Sequence, residues 1–427
     1  MSGDGGIFSL LRQRRFWPLF VAQFAGAMND NLFKNALIIL IIFRIGGDRP
    51  QVLASLAGGL FILPFFLFSA LAGRVADRFE RSRLVRLIKL AELPLTALAA
   101  AGLLTGRPEF LLAALFLFGT QASFFGPIKY AILPELLNGA DLLAGNALIE
   151  GSTYIAILVG TMTGGLLILR PVGNVLTVAA MTILALVGIV AAFRLPRVSP
   201  GDKMVRLDWN LAVLTWRVMA DLKGNAILQG AVLGISWFWF LGATVLTQLP
   251  AFVKQVLGAD EQAATVMLTL FSIGVAIGAL VCAWALKRRQ GNPFTPVLGA
   301  ALLMAALLAD LAWTAMGAAP TALGTPLPLQ AFLAQPLAWR ILADMLAASA
   351  CGGFFAVPLY TLLQSRSEPH HRARTVAANN IANSLFMTIA ALGGAALLKQ
   401  GYSLPQLFLL SAALTVLMVL GLRRLLR

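Results

Sequence analysis

The sequence predicts an all-α integral membrane protein with twelve transmembrane helices arranged as two six-helix halves. Three observations carry that prediction. Hydrophobic residues make up 59% of the 427 and charged residues only 12%, whereas ordinary soluble domains are about 25% charged. Apolar runs of about 20 residues, the length that crosses a bilayer core, recur twelve times. Most of the 33 Lys and Arg fall on alternate loops between those runs, as expected when basic loops stay in the cytoplasm.

The first six runs lie at 16–43, 51–73, 84–105, 110–128, 142–169 and 172–193. The other six lie at 225–253, 262–286, 294–318, 337–364, 376–399 and 405–422. Period-two alternation is missing from them, which argues for helices and against a β-barrel. Run 1 is too long and too polar for a cleaved signal peptide. The chain therefore divides into an N-terminal half at 1–193, a cytoplasmic linker at 194–224 and a C-terminal half at 225–427. Within the linker, Trp209 to Met219 is amphipathic enough to lie along the inner interface. Basic residues on the inner loops place both termini in the cytoplasm of a bacterial inner membrane. The net charge of +15 is then topology signal and contact with anionic lipid, with no nucleic-acid partner required. Cys282 and Cys351 sit in apolar runs, allow one bridge at most and exclude a disulfide scaffold.

Span 1 carries Asp30, Asn31, Lys34 and Asn35, with Asp30 near mid-bilayer. Ionisable groups at that depth face a cavity or a partner. Asp30 and Lys34 are i,i+4 neighbours able to pair on one face; such a pair either serves a substrate or pins span 1 to its neighbours. After span 2 comes Gly73-Arg-Val-Ala-Asp77-Arg78-Phe-Glu-Arg81-Ser-Arg83. Glycine permits close helix packing there, and the carboxylate can cap a neighbouring helix N-terminus. The bland alternative is a positive-inside loop with one incidental acid. At the matching place in the second half, Lys287-Arg288-Arg289 lacks the acid.

Span 4 ends Gly126-Pro127-Ile-Lys129-Tyr130-Ala-Ile-Leu-Pro134-Glu135-Leu, where the prolines are expected to break the helix. Span 5 opens with Asn146, Glu150, Thr153 and Tyr154 on one face; Lys129 is placed to neutralise Glu150, for transport or as a surface pair. Span 7 offers Trp237-Phe-Trp239-Phe240, with Gln248 as its nearest polar candidate. These aromatics either wall a site or fill the lipid interface. Asp310 in span 9 has no partner nearby in sequence, and Asp344 pairs one turn back with Arg340. Asn379, Asn380 and Asn383 in span 11 join helices or meet substrate, and Arg372 and Arg374 precede that span.

Two six-span halves around a polar linker, with the Gly73–Arg83 loop, resemble the major facilitator superfamily. Glu80 stands where that loop signature has its second glycine. Within the superfamily, Ala22-Gln-Phe with Asp30-Asn31, the Gly126–Leu136 string and Gly145-Asn146-Ala-Leu-Ile-Glu150-Gly-Ser-Thr resemble the bacterial lysophospholipid transporters. The Gln364–Arg374 stretch and Asn379-Asn380 resemble the transporter portion of transporter–acyltransferase fusions. The resemblance implies flipping of lysophospholipids, chiefly lysophosphatidylethanolamine, across the inner membrane for reacylation by a cytoplasmic acyltransferase, fused or separate. From their placement in the spans, the substrate contacts expected are Asp30, Asn31, Lys34, Lys129, Asn146, Glu150, Gln248 and Asn379. The resemblance also implies gating by Gly73, Asp77, Arg78, Arg81, Arg372 and Arg374. Stand-alone members carry a basic residue in span 7, where this chain has Gln248.

One polar pocket beside broad apolar walls suits a zwitterionic head with one acyl chain. A proton-coupled exporter of drugs or small amphipathic solutes, with Asp30 or Asp310 carrying the proton, is the alternative on the same fold. An acyltransferase of this pathway needs a His-x-x-x-x-Asp pair, but Thr375 and Val376 follow His370 and His371 at that spacing. No phosphate-binding glycine loop or metal-ligand spacing is present either, so neither an enzyme nor a cofactor is expected.

Overall fold

A computed structural model describes residues 7–41, 50–198, 204–205, 210–287, 294–317 and 326–425. Trp209 of the linker and the basic pair Arg288-Arg289 lie outside the described residues. Among the described residues, twelve long helices follow one another. The first six are α1 (Trp17–Leu40), α2 (Pro50–Arg78), α3 (Arg81–Thr105), α4 (Pro108–Leu136), α5 (Leu142–Ile168) and α6 (Gly173–Phe193). The second six are α7 (Ala226–Gln255), α8 (Glu261–Lys287), α9 (Phe294–Met316), α10 (Pro336–Arg366), α11 (Arg372–Lys399) and α12 (Leu404–Leu425). Short helices at Leu211–Ala220 and Leu329–Leu333 lie between them.

Eleven of the twelve are long and apolar enough to cross a membrane. The exception is α1, whose 24 residues span about 36 Å but include the polar run at 29–35. Local chemistry explains the ends. Gly106 takes a left-handed φ of 69° after α3, a conformation open to glycine. Asn225 and Asn210 accept the Leu228 and Val213 amides at 3.1 Å each, capping α7 and the helix Leu211–Ala220. The expected break in α4 does not occur: the helix runs on through Pro127 and Pro134. Within a packed bundle a proline forfeits one backbone bond, and neighbouring groups absorb the loss.

The chain forms two compact units. The first comprises Met1–Gly145, Ile155–Gly224 and Leu363–Ser384; the second comprises Asn146–Tyr154, Asn225–Leu362 and Leu385–Arg427. In the first, α2 packs on α4, α1 on α6, and α3 on both α4 and α6. Its apolar core includes Leu32, Phe33, Leu37, Leu103, Leu111, Phe118 and Met181. Gly160 and Gly164 of α5 lie against the Met28 and Leu32 carbonyls of α1, where any Cβ would collide with backbone. In the second unit, α12 packs on α7 and α9, and α7 on α8. Asp260 caps two helix starts, accepting the Ala263 amide of α8 at 3.0 Å and the Leu329 amide of the short helix Leu329–Leu333 at 3.1 Å.

Candidate functional site

Helical spacing places Gly26, Asn29 and Asp30 of α1 on one face, and the face meets α3. A Cβ at Gly26 would collide with the Lys89 ammonium and reach 3.4 Å from Glu92 Oε1. Lys89 and Glu92 form an ion pair of 3.0 Å with 1% of each side chain exposed. The Phe125 ring of α4 lies 4.9 Å from Lys89 Nζ, Gln121 of α4 faces Glu92, and Gly188 of α6 leaves room for the Glu92 carboxylate. Four helices thus enclose a charged centre inside the first unit. It keeps hydrogen-bonding capacity in reserve. Among the described residues, neither amide atom of Asn29, nor Asp30 Oδ1, nor Glu92 Oε2 has a hydrogen-bond partner, the Glu92 carboxylate being bonded by Lys89 and Gln121. Buried polar atoms are nearly always satisfied, so this concentration of unfilled ones sets the region apart from the rest of the unit.

Three of these residues, Lys89, Glu92 and Gln121, escape the sequence reading. Lys89 falls in run 3 at 84–105, next to a basic stretch that hides it, and the structure buries it inside α3. The missed signal is a Lys-x-x-Glu pair within an otherwise apolar run. Asp30 and Lys34 act on each other electrostatically, as their spacing predicts, while the hydrogen bond of Lys34 goes elsewhere. Lys34 Nζ donates to Asn31 Oδ1 at 2.9 Å and lies 5.3 Å from the Phe61 ring. The nearer amide satisfies it without drawing Asp30 from the α3 face. Asn31 donates back to Ala27 O at 2.8 Å, and Asn35 joins α1 to α5 through Thr161 O at 2.7 Å.

A second cluster lies where α2 ends. Asp77 accepts the backbone amides of Ala373 and Arg374 at 3.1 and 3.2 Å, Arg374 Nε at 3.1 Å and Arg81 Nη2 at 3.2 Å. It thus caps the N-terminus of α11 from another helix, with a guanidinium on each side. Arg81 also binds Glu135 and donates to Pro369 O at 3.3 Å. Gly73 is what allows the approach, since a Cβ there would lie 2.7 Å from Ala377 Cβ. Arg372 and Arg78 turn elsewhere, donating to Gln364 O at 2.9 Å and Val205 O at 3.3 Å. Asn379, fully buried in the same unit, has both amide atoms without a hydrogen-bond partner among the described residues. Lys129 lies over the Tyr130 ring at 4.5 Å.

The second unit holds Asn146, Glu150 and Tyr154, at most 2% exposed. Asn146 donates to Thr361 Oγ1 at 3.1 Å. Tyr154 stacks on Trp239 at 6.0 Å and meets Phe238 and Phe271 edge-on or tilted. Both indoles of the span 7 aromatics point inward. Trp239 donates to the Tyr360 hydroxyl at 2.9 Å and Trp237 to Thr415 Oγ1 at 3.0 Å, so neither is lipid-facing filler. Beside them lies an apolar cavity of about 40 Å³ walled by Phe238, Phe271, Met304, Leu308, Met345 and Gly352. Gln248 is nine residues beyond Trp239, close to Gly394, about 13 Å along the helix. Around Trp239 and the cavity the second unit is aromatic and apolar, with Glu150 as a buried carboxylate beside Tyr154.

Known proteins match this architecture. Lysophospholipid transporter LplT of Escherichia coli O7:K1 is 29% identical over 361 residues, covering 82% of this chain and 80% of that protein. LplT of Serratia proteamaculans is 28% identical over 375 residues, covering 84% and 82%. Among solved structures, the human organic anion transporter MFSD10 (TETRAN) superposes with a TM-score of 0.73 at 16% identity, over 96% of this chain and 99% of that one. At that identity the likeness speaks for the fold. The family model described as Major Facilitator Superfamily matches residues 19–324. With twelve long helices in order and a family match over most of its length, the chain belongs to the Major Facilitator Superfamily.

Proposed function

We propose that this transporter flips lysophospholipids, lysophosphatidylethanolamine among them, across a bacterial inner membrane by alternating access. The similarity to the two LplT proteins over four-fifths of the chain supports the substrate class. One structural observation carries the reading: unfilled polar atoms at Asn29, Asp30 and Glu92 beside a charged pair in one unit, and an apolar, aromatic-walled cavity in the other. A phosphodiester and an ammonium need the first kind of surface, and an acyl chain needs apolar walls like those of the second, which at about 40 Å³ is far too small for a whole chain as it stands. Dense hydrogen-bonding sets for a sugar would look different.

In this reading the halves 1–193 and 225–427 are the moving bodies, linked by 194–224. Asp30, Asn31, Lys34, Lys129, Asn146, Glu150, Gln248 and Asn379 contribute to substrate passage, joined by Lys89 and Glu92. Gly73, Asp77, Arg81 and Arg374 hold one state closed, with Arg78 and Arg372 as flanking supports. Both termini are cytoplasmic, and an acyltransferase there consumes the delivered lipid. Proteoliposomes test the function directly. Labelled lysophosphatidylethanolamine should cross faster than its diacyl counterpart and faster than an amphipathic dye. Equal rates for all three, or dye efflux driven by a pH gradient with no lipid flipping, would replace this reading with the exporter.

A further inference from the structure

We propose that Asp221 of the cytoplasmic linker is a positioning residue of the gate, holding Arg374 against Asp77 and making the linker part of the closed state. This builds on the reading of Asp77 as a gate. Two other charged clusters close on themselves. Lys89 pairs with Glu92. Arg340 of α10 donates twice to Asp310 of α9, Nε to Oδ2 at 3.0 Å and Nη2 to Oδ1 at 2.6 Å. Asp344, the partner expected one turn away, acts on Arg340 electrostatically. The inner cluster instead runs on. Glu135, Arg81, Asp77, Arg374 and Asp221 follow one another as five charges of alternating sign. The last step, from Arg374 Nη1 to Asp221 Oδ2, spans 3.9 Å.

Asp221 stands where its own helix disfavours it. It ends the helix Leu211–Ala220, and a carboxylate at a helix C-terminus meets the negative end of the dipole. Lys223, two residues on, turns away to lie 5.5 Å from the Trp216 ring. The helix is fixed from its other side. Leu214 and Val218 are buried where it packs on α2. Arg78 of α2 donates to Val205 O at 3.3 Å and Arg86 of α3 to Leu195 O at 2.8 Å, so the linker is tied to the first unit ahead of the helix as well as along it. Its rigid part ends at Gly224, whose φ of 91° is a conformation open to glycine.

Arg374 therefore stands between two carboxylates in opposite surroundings: Asp77 is fully buried, and the side chain of Asp221 is 57% exposed. Asp77 takes the guanidinium at Nε, and Asp221 faces the Nη1 end. A guanidinium is a rigid planar fork, so charges at both ends fix its plane as well as its position. An isolated exposed pair contributes little, whereas one that extends a network orders a side chain already held. When α11 leaves Asp77, Arg374 travels with α11 and Asp221 stays with α2. The linker is then a third element of the closed gate rather than a passive tether.

Cysteine crosslinking between the inner ends of α2 and α11, in the full-length transporter reconstituted without lysolipid, reads the closed state apart from transport. Asp221→Asn should lower the closed-to-open ratio about two- to fivefold, the worth of an exposed pair. Asp221→Lys should lower it further by repelling Arg374, and Asp221→Glu should keep it near wild type. In an Arg374→Gln background, Asp221→Asn should change nothing more. About 1 M salt, where the Debye length is about 3 Å, should erase the difference between wild type and Asp221→Asn. The unfolding midpoint of Asp221→Asn should stay at or above wild type, since a carboxylate leaves a helix C-terminus. Unchanged crosslinking in Asp221→Lys would overturn the latch, as would losses that add in the Arg374→Gln background or a lowered midpoint in Asp221→Asn. With no lysolipid in the measurement, a failed latch leaves the substrate reading standing, and a failure to flip lysophosphatidylethanolamine leaves the latch standing.

Discussion

Lys89 and Glu92 lie three residues apart on α3 with almost no exposure, and removing either leaves the other stranded. Breaking a buried pair from one side costs about 3–5 kcal/mol, while replacing both partners is often close to neutral. Lys89→Met should therefore lower the thermal unfolding midpoint sharply, and Lys89→Met combined with Glu92→Gln should recover most of the loss. Additive losses would show that the two do not act as a pair. Asp30 differs, because its Oδ1 has no hydrogen-bond partner to lose. Asp30→Asn should keep the unfolding midpoint near wild type while slowing lysophosphatidylethanolamine flipping at least about tenfold. Normal flipping would remove Asp30 from the substrate path. Asp30 is legible in the sequence because a carboxylate amid apolar residues stands out. Lys89 is not, because it follows five arginines clustered around the turn between α2 and α3.

The contact between α2 and α11 depends on one carboxylate and one missing side chain. Asp77 offers its charge to two amides at the start of α11 and to Arg374, an interaction of about 1–2 kcal/mol at a helix N-terminus. A contact made in one state alone shifts the two-state population by its own free energy, here about five- to thirty-fold. Asp77→Asn should reduce cysteine crosslinking between the inner ends of α2 and α11 and slow turnover more than it weakens binding. Unchanged crosslinking would take Asp77 out of the gate. Gly73→Val should act in the same direction through volume, since even a Cβ would press on Ala377 and the Ala373 carbonyl. The Gly–Asp–Arg spacing made this cluster legible, but spacing could not tell which arginines converge. Arg374 reaches Asp77 and Arg372 does not, because helix phase turns Arg372 toward Gln364 O. Proline spacing misled for a related reason: two prolines in α4 break a solvated helix more readily than one packed among neighbours.

At the scale of the whole chain, apolar run lengths located all twelve helices, because bilayer thickness leaves little freedom in span length. Run 4 ends eight residues short of α4, where Lys129 and Pro134 conceal the remaining turns. Orientation is the open consequence. With both termini cytoplasmic, single cysteines at Thr105 and Ser403, both exposed, should react with an impermeant maleimide in intact cells. A cysteine at Glu368 should react only after permeabilisation; the opposite pattern would invert the topology. Biogenesis raises a further constraint on α3. A charge at a helix centre costs about 2.5–3.5 kcal/mol during translocon-mediated insertion, and α3 carries two of them before α4 and α6 have been made. The residues that later cover the pair, Phe125 and Gly188, lie downstream and are still untranslated or inside the ribosome. Spacing the lysine and glutamate one turn apart lets the helix leave the translocon with its charges already matched. The pair thus acts first as the helix's own passport into lipid, and only afterwards as the floor of a polar centre.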